Sequence, residues 1–283
     1  MHNITMNPQV ENVVDLEIAE LFEVIYTKYK YDFRDYSFAS MGRRVTQALM
    51  GLDLVSVAEL KSRILVDPSC FTDLLQFLTI PVSEMFRDPS YYRSFRDNVV
   101  PVLRTYPSLK IWIAGCSTGE EVYSFAILLK EAGLLERTII YATDINEVSL
   151  KKAQAGIFKI KDMQKYTSNY QKSGGEKEFS SYYTADSESA VFDSSLRKNI
   201  TFNDHSLATD HVFSEVQFIS CRNVLIYFRR NLQERAIGLF HEALSRKGFL
   251  GLGPKETVGL TKYSSGFEPV TMKDRLYQKI CNE

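Results

Sequence analysis

Apolar residues recur at helical spacing over the first quarter of the chain. Leu16, Ala19, Leu21, Phe22, Ile25 and Tyr26 fall on one face of a helix that starts near Glu11. Residues 39–50 read as a second helix with Gly51 as its stop, and residues 57–66 as a third. Asp67-Pro68 then breaks the pattern, with Pro68 well placed as the first residue of a fourth helix carrying Leu74, Leu75, Phe77 and Leu78. No strand pattern interrupts this stretch, so residues 1–78 are expected to form a separate all-helical domain. Residues 79–109 read as a joint followed by a linker helix, which starts at Pro89 and runs through Tyr91, Tyr92 and Phe95 to Leu103. From Lys110 the pattern changes. Short apolar runs at 111–114, 138–143, 199–202, 216–220, 249–252 and 274–280 alternate with helical segments, the last at 230–246 before Gly248. Such alternation predicts an α/β domain over 110–283, built on a mainly parallel sheet.

One stretch departs from the alternation. Residues 166–196 are rich in Ser, Tyr and Gly, with Gly174-Gly175 as a turn signal. Residues 179–183 and 190–192 suit short antiparallel strands. So long a bare loop is uncommon in a compact domain, and the expectation is a small inserted β-subdomain, with a disordered surface loop as the alternative.

Chemistry enters at the first strand of the α/β region. The run Ile111-Trp-Ile-Ala114 breaks into Gly115-Cys-Ser-Thr-Gly119 and then into a helix that opens with Glu120 and Glu121. Small residues here let the backbone approach a ligand at the carboxyl end of a strand. The second run ends in Asp144, and an acidic residue in that place typically accepts the two hydroxyls of a ribose. Because Gly115-x-x-x-Gly119 lacks the first Gly-x-Gly of a dinucleotide loop, the ligand expected is an adenosine without a pyrophosphate to cradle. S-adenosylmethionine (SAM) is the candidate; an ordinary βα turn with a solvated Asp144 is the bland alternative.

Composition narrows this further. Of 283 residues, 45% are hydrophobic and 24% charged, enough for an ample core, and the formal net charge of −1 gives no general pull toward nucleic acid or anionic membrane. No apolar run approaches the length of a membrane-spanning helix, and the N-terminus has neither the basic nor the apolar region of a signal peptide, so a cytoplasmic protein is expected. Cys70, Cys116, Cys221 and Cys281 form no Cys-x-x-Cys, which suits reduced thiols rather than disulfides or zinc. His2, His205, His211 and His241 form no metal-ligand cluster.

Three segments together resemble the CheR family, SAM-dependent methyltransferases that esterify glutamates on bacterial chemoreceptors. Ser83-Glu-Met-Phe-Arg-Asp-Pro89 is similar to its Thr/Ser-x-x-Phe-Arg-Asp/Glu motif, Ala114-Gly-Cys-Ser-Thr-Gly-Glu-Glu-Val-Tyr-Ser124 to its glycine loop, and Cys221-Arg-Asn-Val-Leu-Ile-Tyr-Phe228 to its Cys-Arg-Asn-Val-x-Ile-Tyr-Phe. They stand in order at family-like spacing, and the helical N-terminal domain (Gly42-Arg-Arg44, Asp67-Pro68) and the insert extend the resemblance over nearly the whole chain. Two departures stand out: Pro81 replaces a common Asn that touches the cofactor, and Gly253-Pro-Lys-Glu256 replaces Gly-x-Ser-Glu.

The resemblance implies a class I SAM-methyltransferase (Rossmann-like) sheet domain with an N-terminal helical domain and the inserted β-subdomain. It also implies methyl transfer from SAM to glutamate carboxylates on the cytoplasmic helices of chemoreceptors, with S-adenosylhomocysteine (SAH) as product and no metal. Arg87, at the joint, is the first expected catalytic residue, facing the methionine end of SAM and the substrate; an ion pair with Asp88 or Asp97 is its plainer reading. Tyr227 is the second, with a half-buried core aromatic as the alternative. The resemblance places Ser83, Arg222 and Asn223 on the cofactor, although Arg222 equally suits a structural salt bridge. Gly115 and Asp144 belong to the same site. Asn203-Asp204 follow the run 199–202, where such enzymes hold the adenine edge. Of Glu120 and Glu121 one is expected on the SAM ammonium, Glu121 by resemblance, the other serving the helix dipole. Arg43 and Arg44 read as a basic helical face toward an acidic receptor helix, or simply a solvated one. The partners expected are receptor helices and a receptor C-terminal peptide at the β-subdomain, without nucleic acid or membrane insertion, and the chain is expected to be a monomer.

Overall fold

The structure is a computed structural model that describes residues 8–79 and 83–280, with side chains from residue 15 onward. His2, Cys281 and the Pro81 departure lie outside the described residues. The chain falls into two compact units, residues 1–80 with 227–232, and residues 81–226 with 233–283.

The first unit is helical: α1 (Pro8–Tyr29), α2 (Phe38–Gly51), α3 (Val57–Val66) and α4 (Pro68–Thr79). Ile18, Leu21, Phe22, Ile25, Met41, Val45, Ala48, Leu60, Ile64, Leu74 and Leu78 form its buried face. α3 is capped by Ser56, whose side chain accepts from the Glu59 N–H, while the Glu59 carboxylate accepts from the Val55 N–H. The segment 227–232 completes this unit. Ser37 N–H donates to Tyr227 O, Arg229 N–H donates to Asp35 O, and Phe228 packs edge-on against Tyr36.

The second unit opens with α5 (Pro89–Ser94), a π-helical turn (Phe95–Val99) and α6 (Val100–Leu103). The linker helix read from the sequence is thus interrupted. Pro101 has no N–H for the regular ladder, and the chain takes the wider turn just before it. β1 (Leu109–Ala114), α7 (Glu120–Glu131), β2 (Thr138–Asp144) and α8 (Glu147–Ala155) follow in alternation. β3 (Ile157–Lys159), α9 (Met163–Lys172), β4 (Tyr183–Ala185) and β5 (Ser189–Phe192) lead to β6 (Ile200–Asp204) and β7 (Val216–Cys221). α10 (Arg230–Ala243), β8 (Leu244–Leu252), β9 (Phe267–Thr271) and β10 (Leu276–Lys279) end the chain.

Seven strands form one sheet in the order β6-β2-β1-β7-β8-β10-β9. The first five run parallel, and β10 and β9 turn antiparallel at one edge. Strand order reverses between β1 and β7, which opens the ligand crevice of a doubly wound sheet at their carboxyl ends. β9 carries Pro269 and gave no strand signal; as an edge strand it tolerates the missing N–H. α10 is shorter than residues 230–246, because Leu244 already pairs with Val216 and the Lys279 ammonium closes the helix on the carbonyls of His241 and Leu244.

The inserted sheet has the order β3-β5-β4, all antiparallel. It differs from the expectation at 166–196 in two ways. Its first strand precedes that stretch, and Tyr166 and Tyr170 lie on α9. Residues 179–182 form a 3-10 turn, and the strand starts only at Tyr183. The tyrosines that made this stretch look solvated are mostly core. Tyr170 and Tyr182 bury their rings and donate their hydroxyls to the Glu131 carboxylate, which also pairs with Arg96 at 2.5 Å.

Candidate active site

The carboxyl ends of β1, β2, β6 and β7 gather most of the residues singled out from the sequence. The loop after β1 is stitched to β2, with Gly115 N–H and Cys116 N–H both donating to Thr143 O at 2.8 and 2.9 Å. Gly115, Ser117 and Gly119 have φ of +74°, +51° and +97°. Protein neighbours by themselves already require both glycines. A Cβ on Gly115 would lie 2.4 Å from Val224 Cγ2, and one on Gly119 would lie 2.8 Å from Ala153 Cβ.

Asp144 closes β2 beside this loop. One carboxylate oxygen accepts from Ser117 N–H at 2.8 Å and the other from Asn146 N–H at 3.0 Å. Burial raises its pKa, outweighing these bonds. The Ser117 hydroxyl is buried and has no hydrogen-bond partner among the described residues. Asn203 and Asp204 stand exposed on the neighbouring edge, paired in register with Thr143 and Asp144; they end β6 rather than follow it.

Glu120 and Glu121 differ sharply. Glu120 is buried; its carboxylate accepts from the Thr118 hydroxyl at 2.7 Å and is hydrogen-bonded by Ser83. Burial raises its pKa. Glu121 takes the Ser220 hydroxyl at 2.5 Å on one oxygen and faces Arg222 Nη1 at 3.4 Å with the other.

At the end of β7 the Arg222 side chain is only 1% exposed. Its Nη2 donates to Arg87 O at 3.0 Å and to the Asp88 carboxylate at 2.8 Å, and the guanidinium lies 4.1 Å from the Tyr91 ring centre. The side chain thus makes the structural salt bridge that the sequence also allowed. Asn223 takes a left-handed conformation, φ +61°, and its N–H donates to Glu256 at 2.9 Å. Glu256 also accepts from Gly253 N–H at 2.6 Å and Ile226 N–H at 3.3 Å. Sequence reasoning noticed Glu256 only as part of a departed motif; its role is to knit the loop after β7 to the end of β8.

Arg87 contrasts with Arg222. Its guanidinium has no hydrogen bond or ion pair among the described residues, and the ion pair considered with Asp88 is absent because Asp88 belongs to Arg222. Tyr227 is placed in the helical unit, with its ring 4.1 Å beneath the Arg44 guanidinium. Arg44 itself is 3% exposed and donates to Leu78 O, so it does not belong to a solvated basic face; Arg43 is exposed. The thiols of Cys116 and Cys221 are buried, which pushes both pKa values up. Among the described residues no group of three or more His, Cys, Asp or Glu is placed to hold a metal, and no helix is long and apolar enough to cross a membrane.

Residues 81–274 match the family described as CheR methyltransferase, SAM binding domain, and residues 16–79 match CheR methyltransferase, all-alpha domain. The chain belongs to the CheR methyltransferase family. Among its relatives is a Pseudomonas putida protein named as methyltransferase Cher3, 59% identical over 95% of this chain and 98% of the relative. A chemotaxis protein methyltransferase of Listeria monocytogenes is 28% identical over 87% of this chain and 92% of its own length. A Pseudomonas aeruginosa protein named for biofilm formation, the methyltransferase WspC, is 25% identical over 82% of this chain and 54% of its own.

As a CheR protein the chain is a SAM-dependent methyltransferase with the class I fold. Its residues suit that cofactor: a buried Ser117 hydroxyl without a partner among the described residues lies in the loop after β1, next to the Asp144 carboxylate at the end of β2. Asp144 would hold the ribose, Asn203 and Asp204 the adenine edge, and Ser83, Glu121 and Asn223 the remaining polar groups.

Proposed function

We propose that this enzyme methylates glutamate side-chain carboxylates on the cytoplasmic helices of chemoreceptors, in the cytoplasm and as a monomer. The observation that carries the reading is the Arg87 guanidinium, which has no partner among the described residues, beside an Arg222 whose two terminal nitrogens are held by Asp88, Glu121 and the Arg87 carbonyl. A free guanidinium holds a carboxylate through two parallel hydrogen bonds and so aims one oxygen. Glutamate has a pKa of about 4.3, so near neutral pH the substrate is already the nucleophile and no general base is needed. Bound SAM supplies an electrophilic methyl group on a sulfonium. Arg87 contributes orientation, and holding the reacting groups in line is worth up to roughly 7–11 kcal/mol. The chemotaxis name of the Listeria relative supports receptors as the substrate, and the biofilm name of WspC supports testing receptors beyond chemotaxis. β4, an edge strand of the inserted sheet, offers unpaired backbone to an extended receptor tail.

Radiolabel transferred from SAM to receptor-containing membranes should leave as methanol in mild alkali, because glutamyl methyl esters are base-labile. Label that survives alkali would overturn carboxyl methylation. Arg87→Ala should abolish most turnover while leaving the protein folded. Tyr227→Phe separately tests the second expected catalytic residue through turnover.

A further inference from the structure

We infer that the Asp88–Arg222 pair is a positioning device that clamps the main chain of Arg87 while leaving its guanidinium free; the inference rests on the reading of Arg87 as the group that aims the substrate carboxylate. Phe86 and Asp88, on either side of Arg87, both sit in the left-handed region, with φ of +51° and +57°. Residues with a Cβ adopt this conformation rarely, and a bulky one such as Phe86 holds it only where the surroundings impose it.

Two anchors impose it here. On one side Phe86 N–H donates to the Ser124 hydroxyl at 2.9 Å, and that hydroxyl is itself tied to Glu120 O at 2.7 Å. On the other side Arg222 Nη2 reaches both Arg87 O at 3.0 Å and the Asp88 carboxylate at 2.8 Å. Arg222 cannot drift. Its ring neighbour Tyr91 lies 4.1 Å away, and Nη1 faces Glu121, which the Ser220 hydroxyl holds in turn. Ser220 gives its only proton to Glu121, so the buried Tyr91 hydroxyl must donate to Ser220, 2.9 Å away. Gly251 on β8 leaves the room that Tyr91 needs, since a Cβ there would lie 2.0 Å from the phenolic oxygen. The chain Tyr91–Ser220–Glu121–Arg222–Asp88 thus fixes the backbone from which Arg87 projects.

Asp88 is the place to test this, because its side chain is 43% exposed and its removal leaves Arg222 paired with Glu121. Asp88→Ala should lower turnover about 10–100-fold, the scale of a small misplacement of a positioning group, with SAH affinity unchanged. In an Arg87→Ala background the same substitution should have no further effect, because both act through one guanidinium. Amide exchange at residues 86–88 should also quicken in Asp88→Ala, a readout independent of any substrate. Equal losses in both backgrounds, or unchanged turnover and exchange, would overturn the positioning role. Near-wild-type turnover in Arg87→Ala alone would instead overturn the catalytic reading, and the inference with it.

Discussion

At the scale of single residues, Asp144, Glu120 and Glu256 are carboxyls whose pKa values burial raises. Between its ordinary value and its raised one, the folded chain keeps a proton that the unfolded chain has released. Each such group therefore favours folding most at low pH, and its contribution falls as pH rises through that window. Glu120→Gln removes one of these titrations while keeping an oxygen for the Thr118 hydroxyl. The variant should gain stability relative to the parent between about pH 5 and about pH 8, read by denaturant unfolding at both. A stability difference that does not change with pH would show that Glu120 is not the group responsible. Asp144 and Glu256 also have a second role: each accepts from two or more backbone N–H groups and so fixes a loop at the carboxyl end of the sheet.

At the scale of elements, α8 is anchored beside Asp144, the residue proposed to hold the ribose. Asn146 caps it, its side-chain oxygen accepting from Val148 N–H at 3.0 Å and Ser149 N–H at 3.1 Å, while its own N–H donates to Asp144. Asn146→Ala should cost about 0.5–2 kcal/mol of stability. It should also weaken SAH binding, since the turn that orients Asp144 loses its anchor; calorimetry and thermal unfolding would measure the two effects. A stability loss with SAH affinity intact would separate the cap from the site. The same element explains Gly119, whose missing Cβ lets the start of α7 meet Ala153 of α8.

At the scale of the whole molecule, the six residues 227–232 complete the helical unit although they follow β7 in sequence. Phe228 is 6% exposed there, packed on Tyr36. A fragment of residues 81–283 alone should therefore expose Phe228 and lose the hydrogen bonds to residues 35 and 37. Uncovering one such ring forfeits about 1.5–3 kcal/mol. The fragment should bind hydrophobic dye and melt below the full chain, and adding residues 1–80 in trans should reverse both. A fragment as stable as the full chain would show that the strip needs no helical partner.

The features legible in the sequence are those set by neighbours close along the chain. Helical spacing placed α2, α3 and α4 within a residue or so, because an apolar face depends on residues three and four apart. The runs 111–114 and 138–143 became β1 and β2, and the glycines after β1 do take positive φ. Shorter or irregular elements escaped: β3 has three residues, β9 carries Pro269, and the π-helical turn has no pattern of its own. What only the tertiary structure decided is the partner of each charge. Arg222 meets Asp88 across 134 residues of chain, Tyr227 meets Arg44 in the helical unit, and Glu256 reaches back to Asn223. A guanidinium reads the same in sequence whether it is buried against two carboxylates or left free for a substrate. The difference lies in desolvation and in which acceptors the fold brings within about 3 Å: among the described residues Arg222 has them and Arg87 does not.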